Sequence, residues 1–175
     1  FLFYNNMIPR LSIILNQYDF FFCRYLLKLF SRSFNCTFRN NVSKNNGGAV
    51  TVYCNAVNGY HTKFYNCTFE NNFAYGEGGA IYFDTNQKDF GLLTLVNCLL
   101  TNNTTLKETG AISLDRNSNL FMLNSTISFN KGSTQGAVLA SFGKVPAKSR
   151  VVNSIFYQNY GGMLFSMEGE AEKVT

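Results

Sequence analysis

The sequence has no tryptophan, one histidine (His61), two prolines and few charges, which make up 14% of its 175 residues. A lone histidine leaves no material for a His-rich metal site or a paired-histidine acid–base system. Two prolines exclude a Pro-rich linker or a collagen-like chain. Five cysteines are too few for a disulfide scaffold and show no C-x-x-C spacing. Low charge beside 46% apolar and 16% aromatic residues excludes intrinsic disorder, which needs high charge and few aromatics. The net charge of +5 is spread out, with Arg24, Lys28, Arg32 and Arg39 near the start and Glu168, Glu170 and Glu172 near the end. A nucleic-acid surface needs a basic stripe with interleaved aromatics, so no nucleic-acid partner is expected, nor any cofactor.

No long uncharged apolar run is present either. The most apolar stretch, Phe20–Phe30, is interrupted by Arg24 and Lys28, whereas a membrane span needs about 20 largely uncharged residues. It also lacks the small-residue cleavage site of a signal peptide. A first residue of Phe rather than Met reads as a piece of a longer chain. Arg24 and Lys28 lie four apart, which suits an amphipathic segment able to cap something.

What the sequence has in abundance is asparagine, and it recurs in phase. Asn35-Cys-Thr-Phe-Arg-Asn-Asn41 returns as Asn66-Cys-Thr-Phe-Glu-Asn-Asn72 and Asn97-Cys-Leu-Leu-Thr-Asn-Asn103. It decays to Asn124-Ser-Thr-Ile-Ser-Phe-Asn130 and Asn153-Ser-Ile-Phe-Tyr-Gln-Asn159, with offsets of 31, 31, 27 and 29 residues. A second anchor follows each copy: Gly47-Gly48-Ala49-Val50, Gly78-Gly79-Ala80-Ile81, Gly110-Ala111-Ile112, Gly136-Ala137-Val138 and Gly161-Gly162-Met163-Leu164. Five copies of a two-part motif in fixed order define a repeat protein.

Each half-motif alternates as a short strand. Three columns read as inward: Phe34, Tyr65, Val96, Leu123 and Val152; Cys36, Cys67, Cys98, Ser125 and Ser154; and Phe38, Phe69, Leu100, Ile127 and Phe156. A fourth inward column, Val50, Ile81, Ile112, Val138 and Leu164, opens the second strand. The first Asn of each copy and the Thr37, Thr68, Leu99, Thr126, Ile155 column read as outward. Short strands at a period of about 30 residues, with no helical periodicity, predict an all-β solenoid, a right-handed parallel β-helix of about five coils. Asn41, Asn72, Asn103, Asn130 and Asn159 would form an amide ladder at one corner, and the Gly pair a turn that a Cβ resists. A leucine-rich repeat is the rival, since Leu93-Thr-Leu95-Val-Asn97-Cys echoes its consensus, but that repeat is shorter and leaves the Gly-Ala anchors unexplained. The expected organisation is an N-terminal cap or degenerate coil over residues 1–32, repeats over 33–166, and an acidic start of a truncated continuation over 167–175.

The paired F-x-x-N (Phe38–Asn41, Phe69–Asn72, Phe156–Asn159) and G-G-A-I/V (Gly47–Val50, Gly78–Ile81) motifs resemble the repeats of polymorphic outer membrane proteins. Those are right-handed β-helical surface adhesins of chlamydiae, with related surface repeats in some parasitic protists. The resemblance spans about residues 33–165, and Phe3-Tyr-Asn-Asn6 fits the same motif, with Ser12-Ile-Ile as a worn second anchor. It implies a cell-surface or secreted location, and binding or adhesion to a host-cell, matrix or glycan ligand.

Several residues carry candidate chemistry. Glu77 with Glu108, and Asp84 with Asp115, share the 31-residue register, so each pair is expected on neighbouring coils roughly 5 Å apart, near the carboxylate separation of a retaining glycosidase. Asp84 and Asp115 are therefore the catalytic candidates of the alternative reading, a polysaccharide lyase or glycoside hydrolase, and Glu77 and Glu108 the candidates for a cation. The residues after both aspartates read as hydrated turns, where both carboxylates ionise and catalysis fails; the balance is against an enzyme, with no metal assigned. Cys36, Cys67 and Cys98 read as buried free thiols, while Cys23 and Cys54 have no evident partner. Asn35, Asn66 and Asn124 head N-x-S/T triplets in the outward column and are the glycosylation candidates, although an Asn- and Thr-rich repeat generates such triplets by itself. The Thr37, Thr68, Thr126 stack with Tyr82 is the expected ligand face.

Overall fold

The computed structural model describes residues 32–54, 60–85, 91–107, 109–115, 118–133, 136–142, 149–161 and 163–167, with the side chains of 54, 60, 85, 136–142 and 163–167 excepted. The expected N-terminal cap and acidic continuation lie outside them, as does Phe20–Phe30. Among the described residues there are eighteen strands, no helix, and hence no helix long and apolar enough to cross a membrane.

The chain winds through four sides in turn. The first side carries β1 (Arg32–Phe34), β5 (Tyr60–Tyr65), β9 (Gly91–Val96), β13 (Ser118–Leu123) and β16 (Arg150–Val152). The second carries β2 (Thr37–Arg39), β6 (Thr68–Glu70), β10 (Leu99–Thr101), β14 (Thr126–Ser128) and β17 (Ile155–Tyr157). The third is β3 (Val42–Ser43), β7 (Phe73–Ala74) and β11 (Thr104–Thr105). The fourth carries β4 (Val50–Cys54), β8 (Ile81–Thr85), β12 (Ile112–Asp115), β15 (Gly136–Phe142) and β18 (Met163–Met167). Every pairing is parallel, and Thr37↔Thr68↔Leu99↔Thr126↔Ile155 shows the register in which equivalent residues stack. The chain is a β-solenoid. Three of its sides are five strands deep, whereas the third side is three deep and continues only as single bridges through Lys131 to Tyr160.

The corners explain the asparagines. Asn35, Asn66, Asn97, Asn124 and Asn153 have φ between 46° and 55°, so each coil turns from its first to its second side through a left-handed residue. Asn tolerates that conformation because its short polar side chain bonds locally. A second left-handed corner follows at Asn40, Asn71, Asn102, Phe129 and Gln158. The next residue carries the buried ladder. Asn41, Asn72, Asn103 and Asn130 each donate backbone N–H and side-chain Nδ2 to Oδ1 of the following ladder Asn, at 2.8–3.1 Å. At the far corner Gly47 and Gly78 have φ of +66° and +68°, and a Cβ on Gly48 or Gly79 would lie 2.0 or 2.2 Å from the carbonyl oxygen of the glycine one coil on. The Gly-Gly pair thus meets two demands, a left-handed turn and contact between stacked backbones.

The core is a set of stacked columns. Phe38, Phe69, Leu100 and Ile127 line the second side, and the Phe38 and Phe69 rings stack at 4.7 Å while Phe64 meets each edge-on. Ala49, Ala80 and Ala111 fill the corner, Val52, Phe83 and Leu114 the fourth side, and Leu93, Leu95, Leu120 and Met122 the first. Burying each large side chain contributes about 1.5–3 kcal/mol. Ile81 and Ile112 point inward as expected, and Val50 is half-buried against them; Val138 and Leu164 lie where side chains are not described.

One expected column is reversed. Phe34 is 55% exposed and stacks on Tyr65 at 4.9 Å on the outer surface, and Val96, Leu123 and Val152 are half-buried there too. The left-handed Asn lies between this column and the inward Cys36 column. Period-2 alternation holds only through extended backbone, so the turn flips the phase and sends the preceding residue outward.

Candidate functional site

The corner between the first and second sides carries a column of exposed asparagines. Its left-handed asparagines are exposed, and their side chains form an outer ladder: Asn66 Nδ2 donates to Asn35 Oδ1 (3.1 Å), Asn97 to Asn66 (3.2 Å) and Asn153 to Asn124 (2.6 Å). The outward column of β2, β6, β10 and β14 stands beside it, with Thr37, Thr68, Leu99 and Thr126 half-buried. A shallow, open groove follows this corner, with Asn66, Asn97 and Asn124 on one bank, Thr68, Leu99 and Thr126 on the other, and Cys67 and Cys98 below. Beyond it Arg39 and Glu70 pair at 2.6 Å across neighbouring coils, and Ile155 and Tyr157 stand exposed at the far end.

The cysteines under the groove are free thiols, Cys67 and Cys98 buried and Cys36 half-buried. Cys67 Sγ donates to Tyr65 O (3.3 Å), Cys98 Sγ to Val96 O and Phe64 O (3.4 Å each), and Ser125 continues the column by accepting the Cys98 N–H at 3.1 Å. The thiols also couple to one another. Its bond with Cys67, then burial, pushes the Cys36 thiol far above the usual range. The contact with Cys36 pulls Cys67 down, but the contact with Cys98 and burial outweigh it and leave Cys67 at about 11. The contact with Cys67 lowers Cys98 against the opposing effect of burial. The column is built for packing and hydrogen bonding, and its Cys67 and Cys98 are withdrawn from solvent.

On the fourth side the two aspartates are register partners, Asp84 at the end of β8 and Asp115 at the end of β12. The sequence had suggested hydrated turns. Instead both sit within strands, and Asp84 is only 4% exposed. Tyr82, expected on an exposed ligand face, is likewise 4% exposed; its hydroxyl donates to Asp115 Oδ2 at 2.8 Å and its ring packs against Tyr53 at 5.5 Å. Burial, and then the hydrogen bond to Asp115, push the Tyr82 hydroxyl far above its ordinary range, and burial followed by the charge of Asp84 raises Tyr53. Glu77 accepts the Ser113 hydroxyl at 3.1 Å, while Glu108 lies outside the described residues. Among the described residues no group of His, Cys, Asp or Glu is arranged to hold a metal. The arrangement fixes Asp115 by a tyrosine and withdraws Asp84 from solvent.

The glycosylation candidates Asn35, Asn66 and Asn124 are exposed, but Asn66 Nδ2 is engaged by Asn35 in the outer ladder. Sequence reasoning had Thr68 and Thr126 on the expected ligand face but put Tyr82, which lies on the fourth side, with them, and missed that the Asn66, Asn97 and Asn124 corner forms the other bank; the doublets Asn40-Asn41, Asn71-Asn72 and Asn102-Asn103 announce a left-handed residue followed by a ladder residue, and the isolated Asn35, Asn66 and Asn97 announce the other corner.

With this geometry established, two segments, residues 35–52 and 66–84, match the model of the Chlamydia polymorphic membrane protein repeat. Each runs from the outer ladder Asn through the F-x-x-N corner and the Gly-Gly-Ala anchor into the fourth side. No curated protein and no solved structure matches the chain.

Proposed function

We propose that this chain is a β-helical repeat segment of a cell-surface protein and that its outer faces act in binding or adhesion. The observation that carries the reading is the pair of matched repeats, whose type is named for a membrane protein of Chlamydia. A solenoid suits the role, because stacked coils present long flat faces on which side chains vary without disturbing the core. The corner groove over Cys67 and Cys98 is the place to seek contact with a host-cell, matrix or glycan ligand: its hydroxyls and amides suit polar ligands and its half-buried Leu99 adds apolar area.

Binding of the purified chain to cultured cells, matrix proteins and a glycan array tests this. Thr68→Arg and Thr126→Arg, which fill the groove from its rim, should lower binding at least tenfold. Asp84→Asn with Asp115→Asn should leave binding within twofold. Cleavage of a polysaccharide by the purified chain, lost a hundredfold or more in the double aspartate variant, would overturn the adhesion reading in favour of a glycan-acting enzyme.

A further inference from the structure

Away from the groove, the outward residues of the first side stand in two full register columns. One runs through Phe34, Tyr65, Val96, Leu123 and Val152, each exposed or half-buried. The next runs through Arg32, Lys63, Thr94, Phe121 and Arg150, with both arginines exposed, Lys63 and Phe121 half-buried and Thr94 buried. No Asp or Glu occurs in the five strands of this side. The face is therefore apolar in its middle and positive at both ends. A contiguous apolar patch rimmed by polar residues is the mark of a protein-binding surface. Arg32 and Lys63 are register partners on neighbouring strands, a pair of like charges that an acidic ligand relieves.

The spacing of the charges says what fits. Neighbouring strands of a sheet lie about 4.8 Å apart, so Lys63 and Arg150, three strands apart, stand about 14 Å from each other. An extended peptide rises about 3.4 Å per residue and points every second side chain to one face, so its positions i and i+4 span the same distance. We infer that this face binds an extended acidic segment of a partner protein, laid across the coils. Its Asp or Glu at i and i+4 pair with Lys63 and Arg150, and an apolar side chain at i+2 rests on Val96, Phe121 and Leu123. The apolar middle suits aliphatic side chains better than the sugars of an acidic glycan. Phe34 and Tyr65 turn a ring face to each other at 4.9 Å, which closes those faces to the bases of a nucleic acid.

Fluorescence anisotropy of a labelled peptide, Ser-Thr-Glu-Thr-Leu-Thr-Glu-Thr-Ser, titrated with the whole chain tests this. Gln in place of both Glu, or Ser in place of Leu, should each weaken binding at least fivefold, and raised salt should weaken it as well. Lys63→Glu with Arg150→Glu should weaken it at least tenfold, and that variant should instead bind the peptide with Lys in place of both Glu. Leu99→Asn, in the corner groove, should leave binding within twofold, which separates this face from the groove proposed for adhesion. No saturable binding of the first peptide, or equal binding of its Gln form, would overturn the proposal, and the peptide variants decide this even where the double variant does not fold. Heparin or an oligothymidylate that binds at least tenfold more tightly than the peptide, and loses that affinity in the double variant, would also overturn it. The face would then be one for an acidic glycan or a nucleic acid.

Discussion

The coils up to Thr105 and those beyond it keep the same left-handed corners with different side chains. In the earlier coils the second left-handed corner is Asn40, Asn71 and Asn102; later it is Phe129 and Gln158, with φ of 56° and 46°. Cysteine fills the column beside the corner in the first three copies and serine in the last two. The third side forms strands β3, β7 and β11 early and only bridges at Lys131 and Tyr160 later. The ladder asparagine and the asparagine of the first corner appear in all five copies. Stacking therefore imposes the corner on whatever residue occupies it, even on a Phe that pays a Cβ clash there of about 1–2 kcal/mol. The ladder cannot be substituted in that way, since each rung needs an acceptor and two donors at one position.

Overfilling the earlier coils should have the largest effect. Gly79→Ala places a methyl 2.2 Å from the Gly110 carbonyl oxygen, with Thr104 backbone also close, so about 3 kcal/mol of stability should be lost in urea unfolding. A loss under about 1 kcal/mol would mean that neighbouring coils slide apart easily.

The ladder should sharpen the contrast between middle and end. Asn103→Leu removes the acceptor of the Asn72 N–H, one of the two bonds of Asn72 Nδ2 and of Asn130 Oδ1, and the side-chain donor to the Phe69 carbonyl in a fully buried corner, at a cost of about 1–3 kcal/mol. Asn159→Leu, half-buried at the end of the described ladder, should cost less than half as much in the same measurement. Equal losses would show the two regions to be energetically alike.

Tyr82→Phe should cost about 1 kcal/mol at neutral pH by removing the bond to Asp115. Because the folded Tyr82 hydroxyl is held above its usual 10.0, the fold favours the protonated form. Its contribution is fully present below about pH 10 and fades as the pH rises beyond it. Stability measured between pH 8 and pH 11 should therefore fall less in the Phe variant than in the wild type.

The smallest change is a gain. Gln158→Asn and Phe129→Asn restore the residue of the earlier coils to a left-handed position and should each stabilise by about 0.5 kcal/mol. The Phe129 variant also loses its edge-on contact with Tyr157 at 5.6 Å, so its gain should be the lesser of the two.

How much of this was legible in advance depends on distance along the chain. The Asn41–Asn159 spacing predicted a solenoid and placed a ladder residue in every coil, because the residues that stack are those one period apart. The Phe34 column was misplaced, because the left-handed Asn35 between it and Cys36 leaves no mark in a pattern of apolar and polar residues. Asp84 and Asp115 were placed in the right register, but Asp84 is buried within β8 where the residues after it suggested a hydrated turn, because burial is decided by what packs over the strand and not by the residues that follow it.

By itself the sequence determined the coil: its length, its two Asn corners, its Gly-Gly turn and the columns that fill it, all set by bonds between residues a fixed period apart. The tertiary structure decided what faces solvent. Exposure is a property of the stacked array rather than of any one coil. Only with the coils in register do the outer asparagines bond into a rail beside a groove, and Tyr82 reach Asp115, four strands away in sequence but on the neighbouring coil.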